Sequence, residues 1–394
     1  MGSSRDSYSS SLCMEGSLDP KLVKGKIVMC DRGNNPRIAK GAEVKHAGGV
    51  GMILANSDSD GEGLVADAHM LPTSAVGAKE GELIRQYIAT TKGPTATISG
   101  LGTVLGIKPA PVVASFSSRG PNPETPEILK PDVIAPGVNI LAGWTGAVGP
   151  SSLAIDRRRT QFNILSGTSM ACPHVSGVAA LLKGAHPQWS PAAVRSALMT
   201  TAYTQDNRGH RMIDEASGNA STPFDFGAGH VHPERAMDPG LIYDMGTEDY
   251  VRFLCSLNYT SKAIQVITRK PTRCPARRIS PGNINYPSFS AVFDLTQPKK
   301  LSTVFFRTVT NVGPPLSVYR VRVIHPRGGV TVTVKPRKLV FTEKNQKLSY
   351  TVTVTTKHID LLPGNADTRF CFISWTDGKH VVQSPITITR QEPY

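Results

Sequence analysis

Three successive patterns of apolar and polar positions run along the 394 residues. In the first hundred, Lys26-Ile-Val-Met-Cys30 and Val50–Ala55 are short apolar runs of strand length. Between them Ile38–Ala47 repeats with a helical period and stops at Gly48-Gly49. A second helix is expected over Glu80–Thr90, with Ile84, Tyr87 and Ile88 on one face, before Gly93-Pro94 starts a turn-rich link. The middle of the chain is punctuated by Arg119-Gly-Pro121, Pro131 and Ala135-Pro-Gly137, and predicts two helices. One spans about Ser169 to Gly184 with the stripe Val175, Val178, Ala179 and Leu182. The other runs to about Ala202, with Ser190 as N-cap and Pro191 in the first turn. From Asn283 the period changes to two: Val330, Val332 and Val334 alternate with threonines, as do Val352 and Val354. Asp377-Gly378 between Ile373-Ser-Trp375 and His380-Val-Val382 predicts a two-residue hairpin, and the whole segment predicts an antiparallel β-sandwich.

Composition narrows the class. With 39% hydrophobic and 19% charged residues the chain is of folded type. Its apolar runs fall short of the roughly 18 residues of a membrane span, so no membrane partner is expected. The Ser-rich stretch from Met1 to Ser11 has no apolar core of a signal peptide. The net charge is +14, and residues 283–394 hold 15 Lys/Arg against 6 Asp/Glu. No nucleic-acid module accompanies these charges, so nucleic acid is not expected and a solvated basic face is. Six cysteines are too few for a disulfide scaffold. Cys13 with Cys30 and Cys255 with Cys274 are pairs close enough to form short loops, although spacing alone does not choose a connectivity. Cys172, inside the apolar helix pattern, is expected to be a buried thiol, and Cys371 stands in a strand pattern. Asn219-Ala-Ser221 and Asn258-Tyr-Thr260 are glycan acceptor sequons.

The chemistry concentrates in Asn163-Ile-Leu-Ser-Gly-Thr-Ser-Met-Ala-Cys-Pro-His-Val-Ser-Gly177. A strand ends in Ser166-Gly167-Thr168 and Ser169 opens a helix, where unpaired amides and the positive end of the helix dipole favour an oxyanion. An N-terminal serine is by itself an ordinary cap. The string Gly167 to Gly177, however, resembles the nucleophile motif of subtilisin-like serine proteases. Cys13-Met-Glu-Gly-Ser-Leu-Asp-Pro20, Ala114-Ser-Phe-Ser-Ser-Arg-Gly-Pro121, Lys130-Pro-Asp-Val-Ile-Ala-Pro-Gly137, His186-Pro-Gln-Trp-Ser-Pro191, Gly229-His-Val-His-Pro233, Met237-Asp-Pro-Gly240 and Asn285-Tyr-Pro-Ser288 resemble the plant, cucumisin-like branch.

This resemblance implies an α/β protease-associated insert over 1–100, lacking its own start. It implies next the C-terminal part of an α/β subtilisin-like domain over 101–270, and an all-β fibronectin III-like sandwich over 283–394. Ser169 matches the nucleophile and its N–H an oxyanion donor; Thr168 lies beside the oxyanion hole. The family's Asp, His and oxyanion Asn contexts are not found, and the chain is expected to begin downstream of them. His174, five residues after Ser169 on one helix, is about 140° around the axis and out of reach of the hydroxyl. His230, His232 and Glu234 look like metal ligands but match a segment the family does not use for metal, and Asp132 falls outside the triad. Neither a metal nor a cofactor is expected.

A serine endopeptidase is thus implied, inactive as this chain alone, since losing triad members costs about 10⁴–10⁶ in turnover. The competing reading is a non-catalytic truncated product that binds proteins. By resemblance the location is extracellular, in the cell wall or apoplast. The expected partners are protein or peptide substrates, acidic wall polymers and a second copy of the chain.

Overall fold

The computed structural model describes residues 7–276, 278–297, 301–324 and 328–393. The first region is a βαβ arrangement. Strand β1 (Ile27–Asp31), helix α1 (Arg37–His46), strands β2 (Gly51–Ala55) and β3 (Thr73–Val76) and helix α2 (Ala78–Thr90) follow in order. The strands form a parallel sheet β1-β2-β3, with Ile27 opposite Gly51 and Met52 opposite Thr73. Cys30, Val44, Met52 and Leu54 are buried together with Cys13. A hairpin of β4 (Ile140–Gly143) and β5 (Phe162–Leu165) leads into α3 (Thr168–Ala185), followed by α4 (Pro191–Thr200). In α4 the Ser190 hydroxyl accepts the Ala193 amide at 3.0 Å, and Pro191 fills a position whose amide would have had no partner.

Beyond α4 come β6 (Leu241–Ile242), α5 (Thr247–Ser256), α6 (Ser261–Thr268) and the strands of a sandwich. These strands are β7 (Phe289–Asp294), β8 (Ser302–Asn311), β9 (Val318–Ile324), β10 (Val330–Lys335), β11 (Lys338–Val340), β12 (Lys347–Thr356), β13 (Ala366–Thr376) and β14 (Val381–Gln391). One sheet has the order β10-β12-β8-β6, the other β11-β9-β13-β14-β7. Inward positions alternate with outward ones, so Val330, Val332 and Val334 are buried between exposed threonines. Tyr350 and Trp375 meet edge to face at 5.1 Å in the core. The Tyr243 hydroxyl, next to β6, is 2.6 Å from that of Tyr350. A segment well before residue 283 thereby supplies both a strand and a core side chain to the sandwich.

Two expectations change in the sandwich. All strand pairs are antiparallel except β14 with β7, which is parallel; alternation reports which face a residue takes, not which way its strand runs. The hairpin at Asp377-Gly378 has four loop residues rather than two, because Thr376 pairs with Val381. Asp377 Oδ1 accepts the amides of Lys379 and His380, forming a side-chain-stabilised turn instead of the tightest one.

By their contacts the residues fall into two compact units. One comprises the chain up to Ser117, Pro136–Pro173 and Gln205–Ala220; the other comprises Ser118–Ala135, His174–Thr204 and the chain from Ser221. Among the described residues no helix is long and apolar enough to cross a membrane.

Candidate active site

The site is built on the turn between β5 and α3. Gly167 donates its amide to the Gly137 carbonyl at 2.8 Å. A Cβ at Gly137 would lie 3.0 Å from the Gly167 carbonyl oxygen and 3.2 Å from the Ala171 methyl, a crowding that glycine avoids. Beside it Asn139 takes a left-handed φ of +53°, which asparagine tolerates. Its amide donates to Ser166 Oγ at 2.7 Å, and that hydroxyl donates to Asn139 Oδ1 at 3.2 Å. Asn139 Oδ1 also accepts the Ala66 amide at 2.7 Å, and Nδ2 donates to the Leu64 carbonyl at 3.2 Å. One residue thus clamps the strand end that precedes the serine. Asn163 is buried, its Nδ2 donating to the Pro150 carbonyl at 2.9 Å.

Thr168 and Ser169 occupy the first turn of α3, both exposed. Among the described residues their amides reach no backbone carbonyl outside the helix, while Met170 N–H returns to the Gly167 carbonyl at 3.0 Å. Two free donors at a helix start next to a hydroxyl are the elements of an oxyanion site. Pro173 lies inside the helix and lacks the amide that would have bonded to the Ser169 carbonyl. Leu182 is the one fully buried residue of α3, and Ser169 lies about 140° around the axis from it, so the buried stripe itself turns the serine outward. Cys172, expected to be buried, is exposed. It lies only about 20° around the axis from Ala179 but about a turn or more closer to the helix start than Val175, Val178, Ala179 and Leu182, the residues of α3 that pack in a buried cluster.

No histidine or carboxylate hydrogen-bonds to the Ser169 hydroxyl among the described residues. The other residues singled out from sequence serve locally. Asp132 Oδ1 accepts the Tyr286 hydroxyl at 2.6 Å and Lys130 Nζ at 2.9 Å. His230 Nδ1 lies 3.0 Å from the Val231 carbonyl, and burial pushes its imidazole below its usual range. His232 Nδ1 accepts the Arg235 amide at 3.4 Å, capping the short helix Pro233–Met237 that contains Glu234. No group of three or more His, Cys, Asp or Glu side chains able to hold a metal ion occurs among the described residues.

Disulfides join Cys13 to Cys30 and Cys255 to Cys274, the first fastening the chain start to β1 and the second fastening α5 to the segment after α6. Cys371 is buried and burial pushes its thiol up to about 12. Asn219 is exposed, and so is Asn258, which takes φ +64° between α5 and α6. Sequence reading missed the Asn139–Ser166 clamp: Ala135-Pro-Gly137 registers as turn punctuation, and a contact across 27 positions leaves no periodic trace.

Comparison with known proteins fits this geometry. The model of the subtilase family matches residues 7–229, and a fibronectin type-III domain model matches 283–388. The chain belongs to the subtilase family, joined to a fibronectin III-like all-β region. It is 61% identical to the subtilisin-like protease SBT1.5 of Arabidopsis thaliana over 98% of this chain and 51% of that protein. With SBT1.6 of the same plant the identity is 59% over 98% and 50%. The chain therefore spans about half the length of these relatives. The solved structure of the psychrophilic subtilisin-like protease Apa1 from Pseudoalteromonas sp. AS-11 aligns at 18% identity and a TM-score of 0.23, over 55% of this chain and 36% of that one.

Proposed function

We propose that this chain carries the nucleophile-bearing part of a secreted serine endopeptidase. Residues 1–100 form a protease-associated insert and 101–270 the C-terminal part of the peptidase domain. The observation that carries the reading is Ser169, exposed at the first turn of α3 with the Thr168 and Ser169 amides free beside it. In the reaction Ser169 Oγ attacks a peptide carbonyl and passes its proton to a histidine base. The Ser169 amide donates a hydrogen bond to the tetrahedral oxyanion, the amine leaves with the proton returned by the histidine, and water releases the acyl group. The base and its carboxylate come from residues outside this chain, so the chain by itself is inactive. In the extracellular setting Asn219 and Asn258 are glycan acceptors and both disulfides persist.

The test is hydrolysis of a casein-derived fluorogenic peptide, with fluorophosphonate labelling of Ser169. It compares the chain alone with the chain joined to the half of SBT1.5 that it does not span. The expected result is no turnover from the chain alone, and turnover plus labelling in the joined protein, both abolished by Ser169→Ala. Cleavage by the chain alone that Ser169→Ala removes would overturn the inactivity. A joined, folded protein in which Ser169 is unlabelled would overturn the nucleophile assignment.

A further inference from the structure

The cations of the sandwich are unevenly neutralised. Arg390 and Arg369 pair with Asp367, and Lys379 pairs with Asp238. Arg307 is buried with no carboxylate partner among the described residues and donates instead to the carbonyls of Gly282, Tyr286, Phe306 and Ser288. A different group gathers on the outer face of the sheet edge formed by β9 and β11. Register places Lys338 directly opposite Arg320. Arg322 is two residues along β9 on the same face, opposite Ser374. Arg337, whose carbonyl accepts the Val321 amide, and Lys335 at the end of β10 continue the group around the strand connection. All five are exposed, and none forms an ion pair among the described residues.

This arrangement is unfavourable for folding. Side chains directly opposite across two strands are about 5 Å apart at Cβ, and like charges there destabilise. Residues two apart on a strand are separated by roughly 7 Å, inside the Debye length of about 8 Å at physiological salt. Tyr319, Val321 and Leu339 hold the register by pointing into the core, so the cations stay on one face of the sheet. An anion laid over the face relieves their repulsion. The cations are spread along two paired strands and exposed rather than gathered in a pocket, which favours a polymer that touches several of them at once. Among the described residues of this sheet no aromatic ring is among the exposed side chains, so no stacking platform of the kind used by single-stranded nucleic-acid binders is seen there.

We propose that the β9–β11 face, centred on Arg320, Arg322 and Lys338, binds a linear acidic polysaccharide. The test uses the full chain and polygalacturonate in a salt series, with the methyl-esterified polymer and duplex DNA as comparison ligands. The triple variant Arg320→Ser, Arg322→Ser, Lys338→Ser is compared with Lys344→Ser, Lys347→Ser, Lys357→Ser, which removes the same charge elsewhere. Binding to polygalacturonate but not to its ester is expected. The first triple should weaken it by about tenfold or more at physiological salt and flatten the log–log salt slope by about two, as the loss of three cation contacts at about 0.7 each requires. The second triple should change it less than about threefold. Lys338→Glu, which gives Arg320 a partner, should raise the melting temperature while weakening binding, separating the site from any folding defect. Equal weakening by both triples, unchanged binding in the first, or tighter binding of DNA than of polygalacturonate would each overturn the proposal.

Discussion

The sandwich and helix α3 are both rich in apolar residues, yet they place them oppositely. In the sandwich the apolar positions face inward, and Trp375, Tyr350, Val352, Val354 and Ile373 are at most 2% exposed. Along α3, which is apolar around nearly its whole circumference, Leu182 alone is fully buried and Leu181 is 66% exposed. In the hairpin that leads into it, Phe162 is 61% and Leu141 66% exposed. Strand alternation gives each residue one assigned face, so two sheets suffice to cover it. A helix that is apolar all round needs neighbours on several sides. The difference teaches that the sandwich covers its own apolar positions, whereas the region around Ser169 leaves apolar surface open.

The comparison breaks most visibly under truncation of the core. Trp375→Ala should cost about 3–5 kcal/mol in urea unfolding, whereas Leu181→Gln should stay within about 0.5 kcal/mol. Similar losses from both would erase the distinction between a covered and an open region.

Next in size are the disulfides, which close chain separations of 17 and 19 residues. Replacing both cysteines of either pair by serine should cost about 3 kcal/mol, read as a shift in the unfolding midpoint. Loss in the Cys13–Cys30 variant should appear in the protection of β1 and β2, while the sandwich strands stay unchanged.

A smaller effect sharpens the picture of how the sandwich holds the segment before it. The His380 ring has Nδ1 2.7 Å from Asp377 Oδ2 and Nε2 3.1 Å from Asp238 Oδ2, with Lys379 Nζ also 2.7 Å from Asp238 and the Tyr319 hydroxyl alongside. Hydrogen bonding from Lys379, and after it His380, holds the Asp238 carboxyl below its usual range. Burial raises Asp377, but hydrogen bonds from His380 outweigh it and leave that carboxyl low as well. Folded values below the unfolded one mean stability fully present above about pH 4 and lost as pH falls through the lower folded values. Unfolding midpoints should be flat with respect to these two groups near neutrality and decline below about pH 4. Asp238→Asn should reduce that decline, and an unaltered acid limb in the variant would remove Asp238 from the account.

Much of this was legible in the amino-acid sequence because it is local. The strands from Val330 onward, the helix from Pro191 capped by Ser190, and the serine after Ser166-Gly167-Thr168 each announce themselves within a few positions. What stayed hidden depends on distant partners. The parallel pairing of β7 with β14, the donation of β6 and Tyr243 to the sandwich, and the Asn139 clamp join residues separated by tens of positions or more. The exposure of Cys172 was misread for a related reason. An apolar pattern states that a helix can be covered, and which part is covered depends on what packs there.

Hydrogen exchange of the intact chain, read residue by residue, tests the central contrast most directly. The account predicts amides of β8, β12 and β13 exchanging only through global unfolding, and amides from Met170 to Gly177 in α3 exchanging at least about a hundredfold faster through local opening. Protection of α3 equal to that of β13 would contradict it, since the helix bearing Ser169 would then be as fully supported within this chain as the sandwich core.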